Sequence, residues 1–133
     1  VLTCADMAAH TVDWCGTISK KFDDLELHEI TPNGQGIAAL MAMGILSHTV
    51  IRDLDAVDPL AFHLQIEAMK LALVYAEAYV TDGDYMTGVS SEALLDDAYL
   101  ASRAALIDET RAQDLKVGAP KNGGTVYLSA AYL

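Results

Sequence analysis

The period of the apolar residues changes along the chain, and each change marks an element. Thr3 has the chemistry of an N-cap for a short helix over residues 5–9. Past His10 the spacing becomes two, with Val12, Trp14, Ile18 and Phe22 on one parity. Asp23-Asp24 then signals a turn, and Leu25, Leu27 and Ile30 follow. This predicts two strands, about 14–22 and 25–30, paired as a hairpin. Thr31-Pro32-Asn33-Gly34-Gln35-Gly36 is the strongest breaker. A helix over about 36–51 is predicted directly after it. Its apolar residues (Ile37, Leu40, Met41, Met43, Ile45, Leu46, Val50) cover nearly the whole circumference, as in a buried helix. Gly44 in its middle costs about 1 kcal/mol against alanine, so close packing against another element is expected there.

Asp58-Pro59 pairs an N-cap with proline at the first helical position. The helix it opens is predicted to run to Val80. Phe62, Ile66, Met69, Leu73, Ala76 and Val80 form its apolar stripe, widened by Leu71 and Tyr75. Asp82-Gly83-Asp84 ends it. Ser90-Ser91-Glu92 starts a further helix over about 91–107 carrying Leu94, Leu95, Ala98 and Leu106, with a helical turn near 108–113. The stretch 117–124 has a linker's composition. Past it, Val126, Leu128, Ala130 and Tyr132 alternate with Thr125, Tyr127, Ser129 and Ala131, the pattern of a strand. The fold class expected is α+β and helix-rich: a short helix and a β-hairpin, three main helices, and a C-terminal strand.

The 133 residues suit one domain or one piece of a larger body, and the 53% apolar content with mean hydropathy +0.25 favours the piece. Small complete domains show proportionally more polar surface. Eight basic against 19 acidic residues give a net charge of −11. Nucleic acid and anionic membrane are thereby disfavoured as partners. The longest apolar run, Ile37 to Leu46, is short of the roughly 20 residues of a membrane span. Cys4 and Cys15 fit no zinc or redox spacing; two buried free thiols are expected, with a disulfide as the alternative.

Most candidate chemistry reduces to ordinary structure. His63 and Glu67 lie at i, i+4, normally a surface contact of a few tenths of a kcal/mol. The zinc motif's second histidine is missing, so no metal is expected, and no cofactor. Asp82-Gly83-Asp84 lacks the further oxygens of a calcium loop. Asn33-Gly34-Gln35-Gly36, ahead of a helix, has the form of an anion-binding turn, but spacing alone favours a plain loop-to-helix turn. Gly124-Thr125 reads on its own as a Gly-Gly turn entering an edge strand. Cleavage of that bond would instead expose a threonine whose own α-amine, with an ordinary pKa near 8, is a base for its hydroxyl.

The order of these segments resembles the γ-glutamyltranspeptidase family, including its cephalosporin-acylase-like branch. The resemblance runs through Leu2-Thr3 to Asp6, His10 to Trp14, and the loop His28-Glu29-Ile30-Thr31-Pro32-Asn33-Gly34-Gln35-Gly36. It continues through the helix motif of His63, Glu67, Ala68, Lys70 and Ala72, through Tyr99-Leu100 to Arg103-Ala104 and Ile107-Asp108, and through Gly124-Thr125-Val126-Tyr127-Leu128-Ser129. It implies an N-terminal-nucleophile hydrolase with an αββα sandwich that cuts itself at Gly124-Thr125. Thr125 would then be the catalytic nucleophile. Residues 1–124 would belong to the large subunit and 125–133 to the start of the small one, together a single incomplete domain. The implied substrate is a small γ-glutamyl or similar acyl amide. The implied partners are the remainders of both subunits, without which the piece is expected to be inactive; the substrate-binding residues are left unassigned.

Two departures from the family pattern are visible. Thr125-Val126-Tyr127 stands where Thr-Thr-His is frequent, which suits the acylase-like branch. Ser129 is not followed by the usual aspartate three residues on. The competing expectation is a non-catalytic helical module that associates, with itself or a partner, through its apolar faces.

Overall fold

A computed structural model describes residues 2–86 and 89–114. Helix α1 (Cys4–Ala9) is closed by a capping box: the Asp6 N–H donates to Thr3 Oγ1 at 3.2 Å, and the Thr3 N–H donates to Asp6 Oδ2 at 2.8 Å. The helix buries no residue. Cys4 and Cys15 are therefore free but exposed, which corrects the expectation of buried thiols: the segment that carries them contributes nothing to the core.

Strands β1 (Thr17–Phe22) and β2 (Leu25–Ile30) pair antiparallel, from Thr17 opposite Ile30 to Phe22 opposite Leu25. Asp23 takes the left-handed φ of 57° in the turn, a conformation its short polar side chain tolerates. The strand starts at Thr17 rather than residue 14. Trp14, 98% exposed, and Val12 share the parity of Ile18 but have no neighbours among the described residues to cover them.

Helix α2 (Gly36–Leu46) is the centre of the molecule. Ile37, Leu40, Met41 and Ile45 are fully buried, and the helix packs on the hairpin, on α3 and on α5. A Cβ at Gly44 would overlap Leu100 Cδ1 and lie 3.1 Å from Lys20 Cε, so the close packing expected there is present. The helix stops at Leu46, not residue 51. The Ser47 and Thr49 hydroxyls turn back onto the Gly44 and Leu46 carbonyls, and Thr49 caps a separate 3₁₀ turn, Val50–Asp53.

Helix α3 (Pro59–Tyr79) opens as its sequence predicts, with the Leu60 N–H donating to Asp58 Oδ1 at 2.7 Å. Its buried face matches the expected stripe only at Leu71 and Ala76, with Tyr75 and Val80 packed against the core. Ala61, Leu64, Glu67, Ala68, Leu71, Ala72 and Ala76 face inward, whereas Phe62 and Ile66 are more than half exposed and Met69 and Leu73 about two-fifths. Both rows recur at three and four residues. The alanine row wins against α2 because small side chains let two helix backbones approach closely.

The helix expected over 91–107 is two helices, α4 (Ser91–Leu94) and α5 (Asp97–Ala104). Asp96 breaks it by accepting from the Tyr99 N–H at 2.9 Å, which starts a new helix, while the Leu95 carbonyl accepts from Lys20 Nζ at 2.9 Å. Leu94, Leu100 and Ala104 enter the core; Ala98 and Leu106 do not. Residues 108–111 form a single turn, in which the Thr110 N–H and hydroxyl donate to Asp108 Oδ1. The described part is thus helix-rich α+β, with a two-stranded sheet. No described helix is long and apolar enough to cross a membrane. The expected C-terminal strand from Thr125 lies outside the described residues.

Candidate functional site

The polar stripe on α3 is where the structure departs most from the sequence expectation. His63, Glu67 and Lys70 follow one another at four and three residues, so they line one flank of the helix. Each reaches the segment that returns from α5. His63 Nε2 lies 2.9 Å from the Asp108 carbonyl oxygen. A carbonyl only accepts, so Nε2 carries the proton. Glu67 Oε2 accepts the Gln113 N–H at 3.3 Å, and Lys70 Nζ donates to the Gln113 carbonyl. Lys70 also donates to Glu67 Oε1 at 2.6 Å.

Glu67 is 1% exposed, so the surface contact expected of it is a buried one, and its partner is Lys70 rather than His63. Burial of a carboxylate is costly unless it is paired and hydrogen-bonded. Here one oxygen has an ammonium and the other a backbone N–H. Lys70, about a third exposed, keeps part of its charge in water. The two side chains together meet both backbone groups of Gln113, as a neighbouring strand would. The signal in the sequence was Lys70, three residues beyond Glu67 and on the same flank of the helix.

A second polar junction joins the hairpin to α5. Lys20 Nζ donates to Asp97 Oδ1 at 2.7 Å as well as to the Leu95 carbonyl, and His48 Nε2 stands 3.7 Å from the same Asp97 oxygen. The hydrogen bond from Lys20, followed by its charge, holds the Asp97 carboxyl below its ordinary range. On the far side of α5, the Arg103 guanidinium stacks over Tyr75 and Tyr99 and donates to the Tyr75 hydroxyl. Burial beside these rings pushes the Tyr99 hydroxyl's pKa up.

The other sequence candidates have structural roles. His28 is exposed, with Thr17 Oγ1 3.4 Å away. Glu29 lies against Gly36, where a Cβ would run into its carboxylate, so glycine at the start of α2 makes room for that side chain. Asp82 accepts from the Asp84 N–H and so caps a 3₁₀ turn, Gly83–Tyr85. Gly124 and Thr125 lie outside the described residues. The segment gripped by Glu67 and Lys70 is the stretch of chain that leads towards them.

A model of the family described as Gamma-glutamyltranspeptidase matches residues 1–132. Among curated proteins, the chain is 26% identical over 98 residues to the Glutathione hydrolase-like YwrD proenzyme of Bacillus subtilis (strain 168), covering 74% of this chain and 18% of that protein. It is 28% identical over 127 residues to the Oxamate amidohydrolase proenzyme of Klebsiella pneumoniae, covering 96% of this chain and 23% of that protein. Among solved structures, cephalosporin acylase from Bacillus halodurans superposes with a TM-score of 0.69 at 38% identity, over 80% of this chain and 19% of that one. The chain therefore spans about a fifth of the length of the curated relatives it matches. With its family model running over all but one residue, the chain belongs to the γ-glutamyltranspeptidase family.

Proposed function

We propose that this chain is the part of an N-terminal-nucleophile amidohydrolase or acyltransferase that carries the self-cleavage junction, with Thr125 as nucleophile. The observation that carries the reading is the family match over residues 1–132, a span that includes Gly124-Thr125. The word proenzyme in the names of both curated relatives supports it. In this reading residues 1–124 are large-subunit-like and 125–133 begin the small subunit, within an αββα sandwich completed by the rest of the protein.

The chemistry is two uses of one hydroxyl. Thr125 Oγ attacks the Gly124 carbonyl, and water completes the cut, leaving a carboxylate on Gly124 and a free α-amine on Thr125. That amine, ordinarily near pKa 8, then takes the hydroxyl proton as Oγ attacks the carbonyl of a γ-glutamyl amide. The amine product leaves with the proton, and water or an acceptor amine resolves the acyl ester. The oxyanion donors that usually contribute most to such catalysis belong, in this reading, to the remainder of the enzyme, so residues 1–133 alone are inactive.

The decisive experiment is mass spectrometry of the full-length protein, together with release of p-nitroaniline from γ-glutamyl-p-nitroanilide. A peptide starting at Thr125, with turnover abolished by Thr125→Ala, is the expected result. An uncut protein that turns over substrate equally well with Thr125→Ala would refute it. Turnover by residues 1–133 alone would refute the inactivity of the piece. A second reading, an acyl amide such as a glutaryl amide in place of γ-glutamyl, is favoured by the 38% identity to the acylase. Cleavage of glutaryl-p-nitroanilide in preference to the γ-glutamyl compound decides for it.

A further inference from the structure

The proposed function leaves His63, Glu67 and Lys70 without a task, yet the three spend their hydrogen bonds on one segment. None of those bonds involves a side chain of that segment: the Asp108 carbonyl, the Gln113 N–H and the Gln113 carbonyl are all backbone groups. A grip on backbone holds position and register whatever the local side chains are. The segment gripped follows α5 and precedes the junction.

We propose that His63, Glu67 and Lys70 form a backbone clamp that positions the chain upstream of Gly124-Thr125 and so sets the rate of junction cleavage. This rests on the proposed function for its kinetic readout, but not for its structural one. The clamp acts by moving the last fixed point of the chain towards the junction. Asp108, held by His63, lies 17 positions before Thr125, and Gln113 lies 12 before it. The stretch 117–124 has a linker's composition, and the probability of bringing a linker's end to one place falls as about the three-halves power of its length, so releasing Gln113 costs the junction about 1.7-fold in occupancy. These are positioning residues: they touch neither substrate nor the bond that breaks.

The test uses the full-length precursor. Glu67→Met/Lys70→Met removes the partners of both the Gln113 N–H and its carbonyl and buries no charge; Lys70→Arg keeps both. Two quantities are measured below each variant's melting temperature: hydrogen exchange of the Gln113 amide, and the rate at which the peptide beginning with Thr125 appears. The clamp predicts faster exchange at Gln113 and a cut slowed by about 1.7-fold in Glu67→Met/Lys70→Met, with both at the parent's values in Lys70→Arg. Should that double variant fail to fold, Glu67→Leu/Lys70→Leu, which likewise removes both partners and buries no charge, is read in its place. Unchanged exchange overturns the clamp. Faster exchange with an unchanged cut, or with a loss beyond about tenfold that tether length does not explain, overturns its role in cleavage. A wild-type precursor that never cuts overturns the proposed function and the kinetic part of this inference together, and leaves the exchange result to decide the clamp itself.

Discussion

Replacing Gly44 by alanine puts a methyl group where a methyl of Leu100 already sits, and Leu100 is fully buried. Two effects oppose each other. Overpacking a filled core costs about 1–3 kcal/mol. Alanine in a helix interior is about 1 kcal/mol better than glycine. The net for Gly44→Ala is a loss of about 1 kcal/mol. Leu100→Ala alone leaves a cavity and costs about 2–5 kcal/mol. In the double variant the new methyl occupies the space that Leu100 vacated. The overlap with Leu100 vanishes, Lys20 Cε has only to give by a few tenths of an ångström, the propensity gain remains, and Gly44→Ala becomes stabilising by up to about 1 kcal/mol in that background. The sign reversal amounts to a coupling of up to about 2 kcal/mol, within the range for residues in contact. Urea denaturation followed by far-UV circular dichroism reads it. At a slope of about 1–3 kcal/mol per molar urea, each step moves the midpoint by roughly 0.3–1 M. If Gly44→Ala shifts the midpoint in the same direction and by the same amount in both backgrounds, the Gly44–Leu100 contact is not what requires glycine.

The pair on α3 gives an ordering. Lys70→Met leaves the buried Glu67 carboxylate without its cation and should cost about 2–4 kcal/mol, below the 3–5 of a fully buried pair because Lys70 is part-exposed. Glu67→Met/Lys70→Met should be the more stable of the two variants; equal urea midpoints would contradict the buried charge. The Lys20–Asp97 contact predicts a pH dependence. The folded Asp97 is shifted down, so its contribution is complete above the ordinary aspartate range near pH 4 and is lost as pH falls through the lowered folded value. Asp97→Asn should flatten the fall of the urea midpoint below about pH 4 relative to the parent; an unchanged slope would refute the assignment. Phe62→Ser and Ile66→Ser lie on the outward row of α3 and should each change the stability of residues 1–133 by less than about 0.5 kcal/mol. A loss of several times that in the same unfolding assay would mean the row is buried after all.

The elements were legible where the signal is local. Thr3 with Asp6, Asp58 with Pro59, and Ser90 each mark a helix start through a hydrogen bond within three residues, and all three are observed. The turn at Asp23-Asp24 and the burial of α2 were legible for the same reason, a short pattern with one reading. The order of short motifs likewise carried the family, because motif order survives where overall identity has fallen below a third in the curated relatives. Tertiary contact decided the rest. Two rows of α3 have helical spacing, and only the approach of α2 selected the alanine row over Phe62 and Ile66. Asp96 divides one apparent helix because Lys20, 75 positions from Leu95, takes up the Leu95 carbonyl. Glu67 looked like a surface residue because its second partner, the Gln113 N–H, is 46 positions away. Periodicity says which faces an element has; which face is buried, and whether a charge on it is paired, depends on what the folded chain brings against it.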